Sequence, residues 1–238
     1  MPRTFLTARW QDLVIVTYAV PRALLEPGLP AGMELDERDG EVFASLVAFD
    51  FRECRVRGVK VPGLVNFPEV NLRFYVRQER GGRRGVVFVR EFVPSRVIAG
   101  VARLVYNEPY SAAAMRSAVS KEGGQVRVEH EVKVRGAAPM RIRAEADAAC
   151  VLPGPDSAEH FFKEHSWGYG VDRRGRTLVY EVRHSEWEVH CNPRVRVEGD
   201  FAAVYGKGWE CLGSTEPRNV VVALGSGVEV LGHAPHVV

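Results

Sequence analysis

The amino-acid sequence predicts a mainly β (α+β) fold in which strands dominate and helices are few and short. Three observations carry that expectation. Apolar and polar residues alternate at period two over several segments. Turn signals such as Asp39-Gly40, Gly81-Gly82 and the stretch 136–139 separate those segments. No internal repeat, low-complexity tract or long linker interrupts the pattern, so residues 1–238 read as a single domain.

Leu13 to Val20 is rich in β-branched residues and stops at Pro21, which is well placed to start a short helix through Leu25. Pro27-Gly28 ends that helix, Asp39-Gly40 marks a hairpin, and Val42 to Phe51 is the next strand. Val70, Leu72, Phe74 and Val76 alternate with Glu69, Asn71, Arg73 and Tyr75, giving a strand with one greasy face. Val86 to Val93 follows. Pro94-Ser95 then opens a helix with Val97, Gly100, Val101, Leu104 and Val105 at helical spacing.

The cleanest pattern lies further on. Val126, Val128, Val132 and Val134 face one way, and Met140, Ile142, Ala144, Ala146 and Ala148 do the same on the partner strand. Arginines and glutamates on the other faces are placed to pair across the hairpin, and the alanines call for something bulky beside them. Ser157 to His165 reads as a short helix anchored by Phe161 and Phe162. Strands are expected at Thr177 to His184, Trp187 to Val197 and Asn219 to Leu224, with a short helix at Asp200 to Tyr205.

Composition narrows the function classes. Thirty-two basic against 30 acidic side chains leave a formal charge of +2, too little and too evenly spread to predict nucleic-acid binding. Cys54, Cys150, Cys191 and Cys211 show no metal-site spacing, and without an apolar leader they read as reduced thiols of a cytoplasmic protein. No apolar run approaches the length of a membrane span. No G-x-S-x-G, Walker-type loop, G-x-G-x-x-G or H-E-x-x-H is present, so hydrolase and nucleotide-binding chemistries are poorly supported and no cofactor or metal is expected.

Two segments carry candidate chemistry. In Phe67-Pro68-Glu69-Val70-Asn71-Leu72-Arg73, the face bearing Glu69, Asn71 and Arg73 is either a solvent face or the interior of a barrel. In the second case a carboxylate, an amide and a guanidinium converge on a ligand. In residues 102–111, a helix containing Arg103 runs into a turn at Pro109-Tyr110-Ser111; the plain alternative is an ordinary loop.

Those segments, with Leu6-Thr7-Ala8-Arg9-Trp10, Val20 to Leu25 and Gly225-Ser226-Gly227-Val228-Glu229-Val230, resemble the YqjF-like bacterial proteins (domain of unknown function 2071) over nearly the whole chain. That family belongs to the acetoacetate-decarboxylase-like superfamily. The resemblance implies a mostly antiparallel, cone-shaped β-barrel with a few short helices. It places Glu69 at an interior glutamate of the decarboxylases, Ala102-Arg103-Leu104 at their Gly-Arg-Glu element, and Ala44 where a second pocket carboxylate has been lost. Tyr110 and Ser111 fall at the turn that carries the Schiff-base lysine, so imine chemistry is not expected.

The expectation is a small-molecule-binding barrel for an organic acid or carbonyl compound. Glu69 and Tyr110 are its candidate catalytic groups, and Asn71, Arg73, Arg103, Ser111, His184 and Trp187 its candidate ligand contacts. Arg73 suits a carboxylate because its planar fork can bind both oxygens. One alternative is an acid–base enzyme with Glu69 as base; another is a filled barrel that serves a protein partner or self-assembles. His165 and His184 read either as a base and its orienting partner, a metal site with Glu164, or a helix cap and a hydrogen-bonded core histidine. His130 reads as a buried, satisfied residue, and Arg52, Arg55, Arg57 and Lys60 as a solvated loop.

Overall fold

The computed structural model describes residues 4–106, 108–231 and 234–235. In chain order the elements are β1 (Thr4–Ala19), α1 (Arg22–Leu25), β2 (Met33–Leu35), β3 (Phe43–Val56), β4 (Phe67–Gln78), β5 (Arg84–Val93), α2 (Arg96–Tyr106), β6 (Tyr110–Ala112), β7 (Ala114–Glu122), β8 (Gln125–Lys133) and β9 (Met140–Asp147). There follow β10 (Cys150–Val151), α3 (Ala158–Lys163), β11 (Trp167–Val171), β12 (Thr177–His184), β13 (Val189–His190), β14 (Arg194–Glu198), α4 (Phe201–Tyr205), β15 (Asn219–Ala223), β16 (Gly227–Leu231) and β17 (Ala234–Pro235). The mainly β expectation holds.

Seven strands close a ring in the order β1-β16-β12-β11-β5-β4-β3 and back to β1. All of those pairings are antiparallel except β5 with β11. Closure puts alternate side chains of each strand inside. On β4 the inward set is the polar one, while Val70, Leu72, Phe74 and Val76 point out into the main apolar core. A second sheet, β7-β8-β9-β14, supplies the other half of that core through Val126, Val128, Val132, Met140, Ile142, Ala144 and Ala146. Phe201, Tyr205 and Trp209 join the same cluster, the bulk that the alanines called for. Ala148 lies past the end of β9 and is exposed.

The wet face of this second sheet is laced as expected: Arg127–Glu145 at 2.9 Å, Arg141–Glu131 at 2.7 Å and Arg143–Glu129 at 2.7 Å. Asp39 and Gly40 both take positive φ, 55° and 78°, as a two-residue hairpin turn requires.

Several boundaries differ from the sequence expectation. β1 runs from Thr4, bending at Asp12 (φ 53°) so that its first half pairs with β16 and its second with β15. Strand β7 has no apolar alternation because neither face is deeply covered, and only the Gly123-Gly124 turn betrays it. The expected strand from Trp187 to Val197 is two, β13 and β14, in different sheets, broken at Asn192 with φ 50°. Arg52 and Arg55 lie on β3 rather than in a loop, and Arg52 pairs with Asp50 at 2.7 Å. On α2 the buried side chains include Ile98 and Ala99, whereas Val97 is 63 % exposed. The side chains at 101 and 104–105, part of that expected stripe, lie outside the described residues, as does Asn107.

Candidate active site

The barrel encloses a cavity of about 90 Å³, several times the roughly 10–15 Å³ that one water needs. Its apolar walls include Trp10 from β1, Phe49 and Phe51 from β3, Phe88 from β5 and Trp187 before β13. Into it project Glu69, Asn71 and Arg73 of β4, Glu91 of β5, Glu108 from the loop after α2, Tyr110 of β6 and Tyr180 of β12. The β4 face bearing Glu69 and Asn71 is therefore barrel interior: each is 2 % exposed.

The polar groups are wired together. Asn71 Nδ2 donates to Glu69 Oε1 at 3.0 Å, and Tyr110 O–H donates to Glu69 Oε2 at 3.1 Å. The Tyr110 hydroxyl also hydrogen-bonds with Glu91. Arg73 Nη2 donates to the Phe162 carbonyl at 3.1 Å, which ties β4 to the end of α3.

Burial pushes the Glu69 carboxyl up to about 7, opposed by its hydrogen bonds from Asn71 and Tyr110 and by the Arg73 charge. Burial likewise lifts Glu108 to about 8, with a hydrogen bond from Tyr180 opposing and the Glu69 charge adding. Glu91 lies well above the usual carboxylate range through burial and then the charges of Glu69 and Glu108. Three carboxyls buried this close together cannot all ionise at neutral pH, so they share protons as a set. Such a set is equipped to give and take protons.

Glu91 and Glu108 escaped the sequence reading for identifiable reasons. The β4–β5 register slips by one residue between Leu72 and Arg73, which brings Glu91 onto the same face as Phe88 against strict alternation. Its signal was a charged pair, Arg90-Glu91, inside an apolar strand. Glu108 sits in the turn segment read as loop, and nothing local marks it as buried. Ala44, read as the site of a lost pocket carboxylate, is not in the cavity: it is fully buried on the outward face of β3, in the main core.

Four other expectations sort cleanly. Trp187 lines the cavity, its indole N–H donating to Ser226 Oγ at 2.9 Å. Arg103 does not reach the cavity: it is exposed on α2, and its Nε donates to the Tyr110 carbonyl at 2.5 Å. Its contact supports the backbone that carries Tyr110. Ser111, next along β6, is outside the cavity lining because alternate residues of a strand face opposite ways. His184 stacks on Trp187 at 4.5 Å between ring centroids and belongs to an adjoining cavity, with Nδ1 hydrogen-bonded to the Ser185 carbonyl at 2.9 Å.

That smaller cavity is about 30 Å³ and is lined also by Lys163, His165 and Trp167. His165 does not cap α3; it is buried, with its ring 4.9 Å from that of Tyr75 and with no partner on either nitrogen. Glu164 pairs with Lys163 Nζ and lies 3.8 Å from His184 Nδ1. Among the described residues, no group of three His, Cys, Asp or Glu side chains is placed to hold a metal ion. His130 is buried as expected, and it hydrogen-bonds with the Asp12 backbone.

The closing Gly225-Ser226-Gly227 segment is a fastening. Gly225 (φ 78°) lies so close to β1 that an added Cβ would be 2.1 Å from the Trp10 carbonyl oxygen, and Trp10 N–H donates to the Ser226 carbonyl at 2.9 Å. It holds two of the cavity's aromatic walls, Trp10 and Trp187.

The closed seven-strand barrel is of the acetoacetate-decarboxylase-like class of fold, as its likeness to solved structures shows. The chain is similar to an acetoacetate decarboxylase-like enzyme from Sphingomonas wittichii RW1, with a TM-score of 0.68 and 14 % identity over 98 % of this chain and 94 % of that one. It is also similar to the enduracididine biosynthesis enzyme MppR complexed with pyruvate, with a TM-score of 0.66 and 18 % identity over 99 % and 91 % of the two chains. At those identities the likeness establishes the fold. Residues 7–229 match the uncharacterized conserved protein family known as domain of unknown function 2071, and the chain belongs to that family. The uncharacterized protein YqjF of Bacillus subtilis (strain 168) is 28 % identical over 180 residues, which cover 75 % of this chain and 72 % of that protein.

Proposed function

We propose that the barrel interior binds a small organic acid or carbonyl compound and that Glu69 exchanges a proton with it. The observation that carries this reading is the placement of Glu69: fully enclosed, held by Asn71 and Tyr110, and poised to titrate at about 7. A base whose pKa lies near working pH combines the right protonation state with a useful driving force. Tyr110 and Arg73 flank it as donors for an oxyanion that forms when a proton leaves the carbon beside a carbonyl. The cavity also favours a ligand over a barrel filled by its own side chains.

The chemistry requires no imine. Tyr110 and Ser111, expected in a turn but found on β6, stand by the family resemblance where the decarboxylases carry their lysine. Lys163, the lysine beside the cavity, is paired with Glu164, and an ammonium is not a nucleophile. The complex of the similarly folded MppR enzyme with pyruvate supports an organic acid as ligand class.

Purified protein incubated in heavy water with a panel of oxo-acids and hydroxy-acids tests the reading by proton NMR. Exchange of carbon-bound hydrogen is expected with at least one compound, slowed about 10²- to 10⁴-fold in Glu69→Gln, the usual contribution of a general base. A compound that raises the melting temperature yet exchanges nothing would leave a binder without catalysis. No shift and no exchange would sink both parts. Borohydride trapping of an adduct on the protein would overturn the imine-free chemistry.

A further inference from the structure

The unpaired buried atoms around the two cavities divide by chemistry. Where the cavities adjoin and in the smaller one are donors without acceptors: Trp10 Nε1, Arg73 Nε and the unpartnered ring of His165. In the main cavity are oxygens without a partner: Asn71 Oδ1, an acceptor, and Glu91 Oε2 and Glu108 Oε1 of the proton-sharing carboxyls. Buried polar atoms are almost always paired, so these orphans describe the partner they await. Asn71 Oδ1 is the most telling, because its amide N–H is spent on Glu69 and the oxygen can only accept.

Position divides the same way. Glu69, Glu91 and Glu108 gather at one end, and the Lys163–Glu164 pair and the neutral His165 ring lie at the other. Arg73 stands between, close enough to Glu69 to lower its carboxyl. Trp10, Arg73, Phe88, Tyr180, Val182 and Trp187 line both cavities, so the two adjoin across these side chains. The smaller cavity, about 30 Å³, has two to three times the room of a single water. That is the scale of a carboxylate.

Building on the small-molecule reading above, we propose that the ligand is a bipolar small acid. Its carboxylate sits against Arg73, Trp10 and His165 beside Lys163, and a hydroxyl or amine at its other end donates to Asn71 and the Glu91–Glu108 pair. This selects hydroxy- or amino-acids over acids with an apolar tail, which would leave the Asn71 oxygen unpaired.

The test is calorimetric titration with three matched series. Glycolate, 3-hydroxypropionate and 4-hydroxybutyrate carry both ends. Acetate, propionate and butyrate lack the donor, and ethylene glycol, 1,3-propanediol and 1,4-butanediol lack the carboxylate. One hydroxy-acid is expected to bind at least about tenfold more tightly than both of its controls, the scale of one charge-assisted hydrogen bond. His165→Phe and Trp10→Phe, which keep a ring in place, are expected to weaken that hydroxy-acid about tenfold and leave its diol unchanged. Glu108→Gln is expected to weaken the hydroxy-acid and not the simple acid. Equal binding of a hydroxy-acid and its simple acid would overturn the proposal, as would loss of the diol in His165→Phe. Binding of oxo-acids alone would overturn it while leaving the small-molecule reading intact, and a protein that binds nothing would end both.

Discussion

Gly168 lets the Tyr180 ring lie across β11, because a Cβ there would sit 2.1 Å from Tyr180 Cζ. A glycine inside a strand commonly marks such a close approach. Gly168→Ala should therefore displace Tyr180 from the cavity wall, costing about 1–3 kcal/mol as overpacking does. Urea unfolding would measure the loss, and ligand titration would show the binding site damaged more than an equally destabilised control. At this scale the sequence was half legible. Glu69, Asn71 and Arg73 could be singled out because polar residues alternated with an apolar face, and Tyr110 through the family resemblance. Glu91 and Glu108 could not, since one needed a register slip and the other a loop folded inward.

Helix α3 is six residues long, yet it positions one end of the site. Ser157 caps it, Oγ accepting from the His160 N–H at 3.1 Å, and Phe161 and Phe162 bury its inner side. The Phe162 carbonyl then receives Arg73 Nη2 at 3.1 Å and the Tyr75 hydroxyl at 3.3 Å. Ser157→Ala should cost about 1 kcal/mol, the usual worth of an N-cap, and should weaken carboxylate binding by loosening Arg73. Ser157→Asp, which can also cap, should restore both; unchanged binding in the alanine variant would show that Arg73 is held without the helix. The helix itself was readable from its cap and its two phenylalanines. Its packing onto β4 was not, because Phe162 and Arg73 are 89 residues apart. Strand β11 escaped notice for a related reason: its glycines weaken the strand pattern and make sense only beside Tyr180 and Glu108.

Across the whole molecule, the buried carboxyls make stability depend on pH. A carboxyl raised in the folded state binds its proton more tightly there than in the unfolded chain. Stability then falls as pH rises from the ordinary 4.5 through the folded values of about 7 for Glu69 and about 8 for Glu108. Each unit of difference corresponds to about 1.4 kcal/mol, so the set contributes a slope worth several kcal/mol. Buried His165 and His130, whose burial disfavours the charged ring, add stability as pH rises towards 6.5 and oppose the carboxyls there. The melting temperature of the unliganded protein should therefore drop between roughly pH 6.5 and pH 8, and Glu108→Gln should flatten part of that drop. A melting temperature that rises over this range in the wild type, with Glu108→Gln parallel to it, would contradict the buried-carboxyl account.

By itself the sequence determined the class of fold, most of its strands, the hairpin ion pairs and the β4 motif, because alternation, turn residues and opposed charges are local properties of the chain. Only the tertiary structure decided which face of β4 is inside. Period-two alternation looks the same whether the polar face meets water or the interior of a closed barrel, and ring closure between β5 and β11 turns one into the other. Only the tertiary structure, too, gathered Glu69, Glu91 and Glu108 in one chamber and set His165 beside its neighbour. The three glutamates come from two strands and a loop, and no local property of those segments announces that they will meet.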